Sequence, residues 1–266
     1  KNTNSWLVET EGGATHEGDQ LCIATGTLKN SRISSCLEKL GHTLSPPIPS
    51  LFAFNVSSHP LSGLSGLSLQ DAEVTIPSLS ISQMGPVLIT HKGISGPAVI
   101  KLSSWAAKKL FFKDYRFEVL INWLGSNGGM EGQMVLKNVR KEHPRSIIGN
   151  CPYPLIPKRL WVKLLEQQSI AKGITWAHLS KEQEKSIYEY LTAFRLPVDG
   201  KSTNKEEFVT CGGVSLTDVN FKTLESKKAK GLFFAGECLD IDGVTGGFNF
   251  QSAWTTARIA ATRIAK

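Results

Sequence analysis

Apolar residues alternate or run unbroken over much of this chain and recur at helical spacing over four stretches. In "YRFEVLINWL" (115–124), Phe117, Val119 and Ile121 share one face, which predicts a half-buried strand. "LFAFNV" (51–56), "AEVTIPSLSIS" (72–82) and "PVLIT" (86–90) read as further antiparallel strands. "GLFFAG" (231–236) lacks polar alternation, as a strand buried on both faces of a parallel sheet would. "EEFVTCGGV" (206–214) reads as another strand. Residues 5–10 and 19–26 flank "EGGATHEGD" and predict a hairpin-like pair whose second strand is "QLCIATG". Helical spacing marks Ile33, Leu37 and Leu40, with Gly41 placed to end the helix. It returns in "PKRLWVKLLEQQ" (157–168), with Pro157 suited to the first helical position, and in "SKEQEKSIYEYLTAF", where Ser180 and Gln183 fit a capping box. From about Asn249 onward Ala253, Trp254, Ala257, Ala261 and Ile264 predict a last helix whose small residues let it pack closely against a sheet or a ligand.

"SPPIPS" (45–50) holds three prolines and predicts an extended connection, so a boundary is placed there. The resulting division is 1–44, 45–205 and 206–266, the middle part being β structure followed by a small helical unit. No apolar run approaches the roughly 18 residues of a membrane span. "KNTNSWLVET" carries neither an initiator Met nor a signal core, and the chain is expected to be part of a longer protein. The formal charge is +7 over 266 residues, with basic residues scattered; they read as a solvated surface. No RNP-like motif, zinc finger or row of aromatics among basic residues is read from the chain, so nucleic acid is not an expected partner. Five cysteines without a C-x-x-C argue against a disulfide framework and a metal site.

"FFAGECLDIDGVTGGFNFQSAW" (233–254) joins a buried strand to a helix through two acids, Glu237 and Asp240, then Asp242-Gly243 and the pair Gly246-Gly247. A helix N-terminus offers free N–H groups and the positive end of a dipole. Glycines let a flat ligand reach the backbone. Asn249 is the expected N-cap. Acids at the same turn suit a ligand with hydroxyls as well as an electron-accepting ring, which describes a flavin nucleotide; a tight turn with solvated acids fits the pattern equally well. "CIATG" (22–26) and "VTCGGV" (209–214) are two more strands ending in glycine. "THKGISGPAV" (90–99) puts Ser95 and Pro97 at a helix start, and His91 there is either a proton donor or a loop histidine bonded to backbone.

Taken together these segments resemble the FAD-dependent, NAD(P)-linked oxidoreductase-like proteins related to bile-acid reductases and aminoacetone oxidase. The similarity covers nearly the whole chain and is densest over 206–260. It implies an α/β fold: a partial Rossmann-like FAD-binding domain interrupted by an inserted β-barrel-like and helical domain. By the same resemblance Thr25 and Gly26 would lie near the dinucleotide, Gly236 and Glu237 near the pyrophosphate and ribityl chain, and Gly246, Gly247, Phe248 and Asn249 by the isoalloxazine; Asp242 and Gly243 are further cofactor-binding candidates. FAD is the implied cofactor and NAD(P)H a possible co-substrate. His91 is the candidate catalytic proton donor, with Cys238 as a second neighbour of the flavin. Family members open with strand, G-x-G-x-x-G and helix; this sequence has no such arrangement. The expected function is therefore the C-terminal part of a flavoprotein oxidoreductase, intracellular in cytoplasm or plastid, whose partners are a small-molecule substrate and its own N-terminal segment. A non-catalytic scaffold derived by loss of the ADP-binding segment is the alternative.

Overall fold

A computed structural model describes residues 5–29, 31–150, 153–202 and 209–266. Cys151 and the first three residues of the strand expected from Glu206 lie outside them. The chain divides into two compact units, Lys1–Leu51 with Glu206–Lys266, and Phe52–Lys205. The first division thus falls seven residues later than the prolines suggested, because the proline segment is itself a strand of the first unit.

The first unit opens with β1 (Trp6–Glu9), β2 (Thr15–Gly18), β3 (Leu21–Ile23), α1 (Ser31–Lys39) and β4 (Leu44–Pro49). The hairpin is β1 with β2, not with "QLCIATG". Gly13, at φ 78°, closes a turn early enough for Thr15–Gly18 to pair back. α1 buries Leu37, while Leu40 is exposed; Gly41 follows at φ 87°.

The second unit carries β5 (Phe54–Asn55), β6 (Ser68–Ile76), β7 (Ile81–Ile89), β8 (Gly93–Ser95), α2 (Pro97–Phe111), β9 (Phe117–Asn122), α3 (Met130–Glu142), α4 (Lys158–Gln167), α5 (Lys181–Thr192), β10 (Phe194–Val198) and β11 (Gly200–Lys201). Pro77 ends β6 in a short 3-10 turn, so the expected strand 72–82 is two strands of a hairpin. The seven strands run β10-β9-β6-β7-β8-β5-β11, every pairing antiparallel. The edge strands β10 and β11 are separated in sequence by Asp199 alone. A flat sheet would hold its edges about 29 Å apart at the usual strand spacing, whereas two residues reach about 7 Å. The sheet must therefore curl, and Asp199 fastens the crossing by accepting from Ser57 N at 3.0 and 3.1 Å. The ladder does not close: the expected β-barrel-like insert is a curled, open sheet. α4 buries Leu160, Trp161, Leu164 and Leu165, with Pro157 as its N-cap rather than its first residue. Ser180 and Gln183 form both bonds of the capping box on α5, and Phe194 lies beyond that helix, in β10.

The first unit is completed by β12 (Thr210–Val214), β13 (Val219–Asn220), β14 (Glu225–Ser226), β15 (Leu232–Phe234) and α6 (Phe248–Ile264). Its larger sheet runs β13-β14-β15-β3 and is mixed; β15 is parallel to β3 and antiparallel to β14. β12 pairs with the proline-rich β4 across a register shift. A Cβ at Gly212 would lie 2.3 Å from Pro46 O and one at Gly213 2.5 Å from Cys238 O. The glycine pair of "VTCGGV" is thus consumed by backbone packing, not by a ligand.

Candidate functional site

β3 and β15 run side by side, Leu21 opposite Leu232 through Ile23 opposite Phe234. Their C-terminal ends therefore release Ala24–Gly26 and Ala235–Glu237 at one edge of the sheet. Gly236 N donates to Thr256 Oγ1 at 2.9 Å, which pins this edge to the side of α6. α6 begins behind Gly247, which sits at φ 87°, and no side chain caps it. The N–H groups of a helix's first turn have no carbonyl within the helix to accept them.

Between these parts lies a groove of about 650 Å³. Gly26, Gly236, Glu237, Gly246, Gly247 and Asn249 line it, and Ala253, Trp254 and Ala257 supply an apolar side. A Cβ added at Gly26 or Gly247 would meet nothing within 4 Å. Both backbones thus face open space. Of the small residues on α6, expected to let the helix pack closely against a sheet or a ligand, Ala253 and Ala257 border this groove, and the helix buries Thr256 and Ala260.

Asn249 does not cap the helix. Gly243 N donates to its Oδ1 at 2.7 Å and its Nδ2 donates to Gly243 O at 2.9 Å, so the side chain clasps the preceding loop. Two of the three acids are likewise structural. Asp240 accepts from Ser45 Oγ at 2.9 Å and Gly212 N at 3.1 Å, and Asp242 accepts from Ser50 Oγ. Glu237 is half-buried on the groove and has no hydrogen-bond partner among the described residues. Thr25 is exposed beside Gly26, and Phe248 is exposed outside the lining.

Phe250 and Trp254, which the sequence reading did not place at the site, stack at 6.2 Å and both border the groove. Their i, i+4 spacing beside Ala253 and Ala257 was the available signal. Cys238 is fully buried; its Sγ donates to Ile23 O and Ala235 O at 3.1 and 3.2 Å, and burial pushes its thiol up to about 12. It does not face the groove. His91 belongs to the other unit, on the exposed loop between β7 and β8, with no hydrogen bond among the described residues. The histidine that does bond to backbone there is His59, whose ring lies 3.2 Å from Thr90 O and whose pKa burial lowers. Ser95 does not cap α2: it is the last residue of β8, and Gly96, at φ 102°, takes the cap position. No group of three metal-ligating side chains occurs among the described residues, and none of their helices is long and apolar enough to cross a membrane.

Residues 48–209 match the family described as HI0933-like protein barrel and H2TH domain. The chain is 32% identical over 256 residues to a ribosomal RNA dihydrouridine synthase of Haemophilus influenzae, covering 92% of this chain and 60% of that protein. It is 30% identical over 256 residues to the Escherichia coli protein of the same name, with the same coverage. It is 28% identical over 271 residues to a 3-dehydro-bile acid delta(4,6)-reductase of Clostridium scindens, covering 96% of this chain and 64% of that protein. The chain therefore spans about 60–64% of the length of these relatives.

Proposed function

The chain belongs to the HI0933-like family, and from that membership we propose that it is the flavin-facing part of an FAD-dependent reductase. The carrying observation is the groove itself: open glycine backbone at one strand end (Gly26) and at an uncapped helix start (Gly247), and one carboxylate without a partner among the described residues. These features fit a flavin. Backbone N–H groups at the start of α6 suit the ring edge that gains negative charge. Glu237 can accept from the hydroxyls of a ribityl chain, and the Phe250–Trp254 pair offers flat apolar surface. The partial Rossmann-like character assigned to the first unit belongs to the same proposal, supported by the parallel β3–β15 pair.

The relatives' names supply a chemical common factor. Forming dihydrouridine saturates a carbon–carbon double bond conjugated to a carbonyl, and so does reducing a Δ4 bond beside a 3-oxo group. We assign this chain's protein to the same reaction class, with a nicotinamide as the source of reducing equivalents. A bound flavin would supply the hydride. The chain's own residues would orient the ring through the start of α6 and hold the ribityl chain at Glu237.

The test is the visible spectrum of purified protein incubated with FAD and desalted. Retained absorbance near that of bound flavin, lost in Gly247→Val, supports the reading. Folded, colourless protein that never takes up flavin overturns it and favours the scaffold alternative.

A further inference from the structure

The charge of this chain is not evenly spread. Residues 52–205 hold 19 Lys and Arg against 11 Asp and Glu, whereas the remainder holds 11 against 12. The whole positive excess therefore sits in the unit that does not carry the groove. Within it, Lys101 to Lys113 contains four lysines and no acid.

α2 arranges this segment. It buries Ala98, Val99, Leu102, Ala106, Ala107 and Leu110. At about 100° per residue, Lys101, Trp105, Lys108, Lys109 and Phe112 fall within an arc of roughly 100°, centred about 115° from the stripe of Val99, Leu102, Ala106 and Leu110. Trp105 is 58% exposed and Phe112, at the helix end, 81%. Lys101 and Lys109 have no partner among the described residues. Along the chain these residues do not form a row; the helix makes them one.

We infer that this face of α2 binds a single-stranded RNA segment, its two rings stacking on bases and its lysines contacting phosphates. Trp105 and Phe112 are about 10 Å apart along the axis, and stacked bases are about 3.4 Å apart, so each ring can take its own base. Every exposed apolar group between Pro97 and Lys113 larger than alanine is a flat ring, with no exposed leucine, isoleucine or valine. That suits base stacking better than insertion among lipid chains. The other lysine-lined groove, between α3 and α5, has its Arg140 already paired with Glu184 at 2.5 Å. The inference rests on the reductase reading only in naming the base: uracil carries the conjugated double bond that such an enzyme would reduce.

Fluorescence anisotropy of a labelled U12 oligoribonucleotide tests it without any flavin, so its failure and that of the reductase reading are separate results. Trp105→Ala and Phe112→Ala, with unchanged thermal melts, should each weaken U12 binding at least about fivefold. The pair Lys101→Gln and Lys109→Gln should reduce the slope of log K against log salt by about 1.4. Lys158→Gln with Lys163→Gln, on α4, should stay within about twofold of the parent. Tighter binding of a 12-base-pair RNA duplex or of phosphatidylglycerol vesicles than of U12 overturns the inference. So does an unaltered affinity in Trp105→Ala.

Discussion

At the residue scale, the carboxylates divide by what holds them. Asp218 is buried, accepts from Thr43 N at 2.7 Å and lies 3.6 Å from Lys228 Nζ. The Thr43 bond, helped by Lys228, holds its carboxyl below the ordinary range. A depressed native pKa contributes stability above the unfolded value of about 3.9, and that contribution is lost as pH falls through the lowered native value. Asp218→Asn should therefore cost about 1–2 kcal/mol at pH 7, and the melting difference from the parent should shrink below about pH 4. Equal differences at pH 7 and pH 3 would refute the assignment. Cys238 gives a second prediction. A thiol raised to about 12 and fully buried cannot form thiolate at neutral pH. Cys238→Ala should leave the native thiol titre at pH 8 unchanged while lowering the denatured titre by one.

At the element scale, the helices with strong signals were legible because their signals are local. The capping box at Ser180 and Gln183 satisfies its own backbone within one turn, so no distant residue can overrule it. Ser180→Ala should cost about 1 kcal/mol in a chemical melt. β4 was not legible: prolines argue against a strand, yet Leu44, Ser45, Ile48 and Pro49 pair with β12, and Pro46 and Pro47 fit at the register shift because Gly212 lets β12 approach their backbone. That partnership spans more than 160 residues and leaves no mark in either segment alone. The same distance explains why Asp240 and Asp242 read as ligand acids; their partners Ser45 and Ser50 arrive from the other end of the chain. α3 was missed because, of its apolar side chains, only Leu136 and Val139 are buried in the core while Met130 and Met134 are exposed, so its apolar residues mark no clear stripe. Gly212→Ala tests the β4–β12 contact. It should destabilise by more than about 3 kcal/mol, as a forced clash at a positive-φ position would, whereas Gly12→Ala, with open space around it, should stay within about 1 kcal/mol.

At the scale of the whole molecule, the two units divide the labour differently from the way composition suggested. The net charge of +7 looked like a diffuse property, but it belongs to residues 52–205, and the groove belongs to a unit that is nearly neutral. A neutral unit has no general attraction for the phosphates of a dinucleotide, so on the proposed reading its hold on a flavin would come from local contacts at Gly26, Glu237 and the start of α6. These contacts can reach a ring, a ribityl chain and at most the nearest phosphate. FMN and FAD should accordingly bind these 266 residues with affinities within about threefold of each other, since an adenine half that touches nothing adds nothing. Asn249→Ala, which releases Gly243, should weaken both flavins equally, by about tenfold for the loss of two bonds of about 0.5–1 kcal/mol each. Flavin fluorescence quenching measures both. A preference for FAD above tenfold would mean that residues of this chain hold the adenosine after all, and the groove would then have to be redrawn to extend along β3.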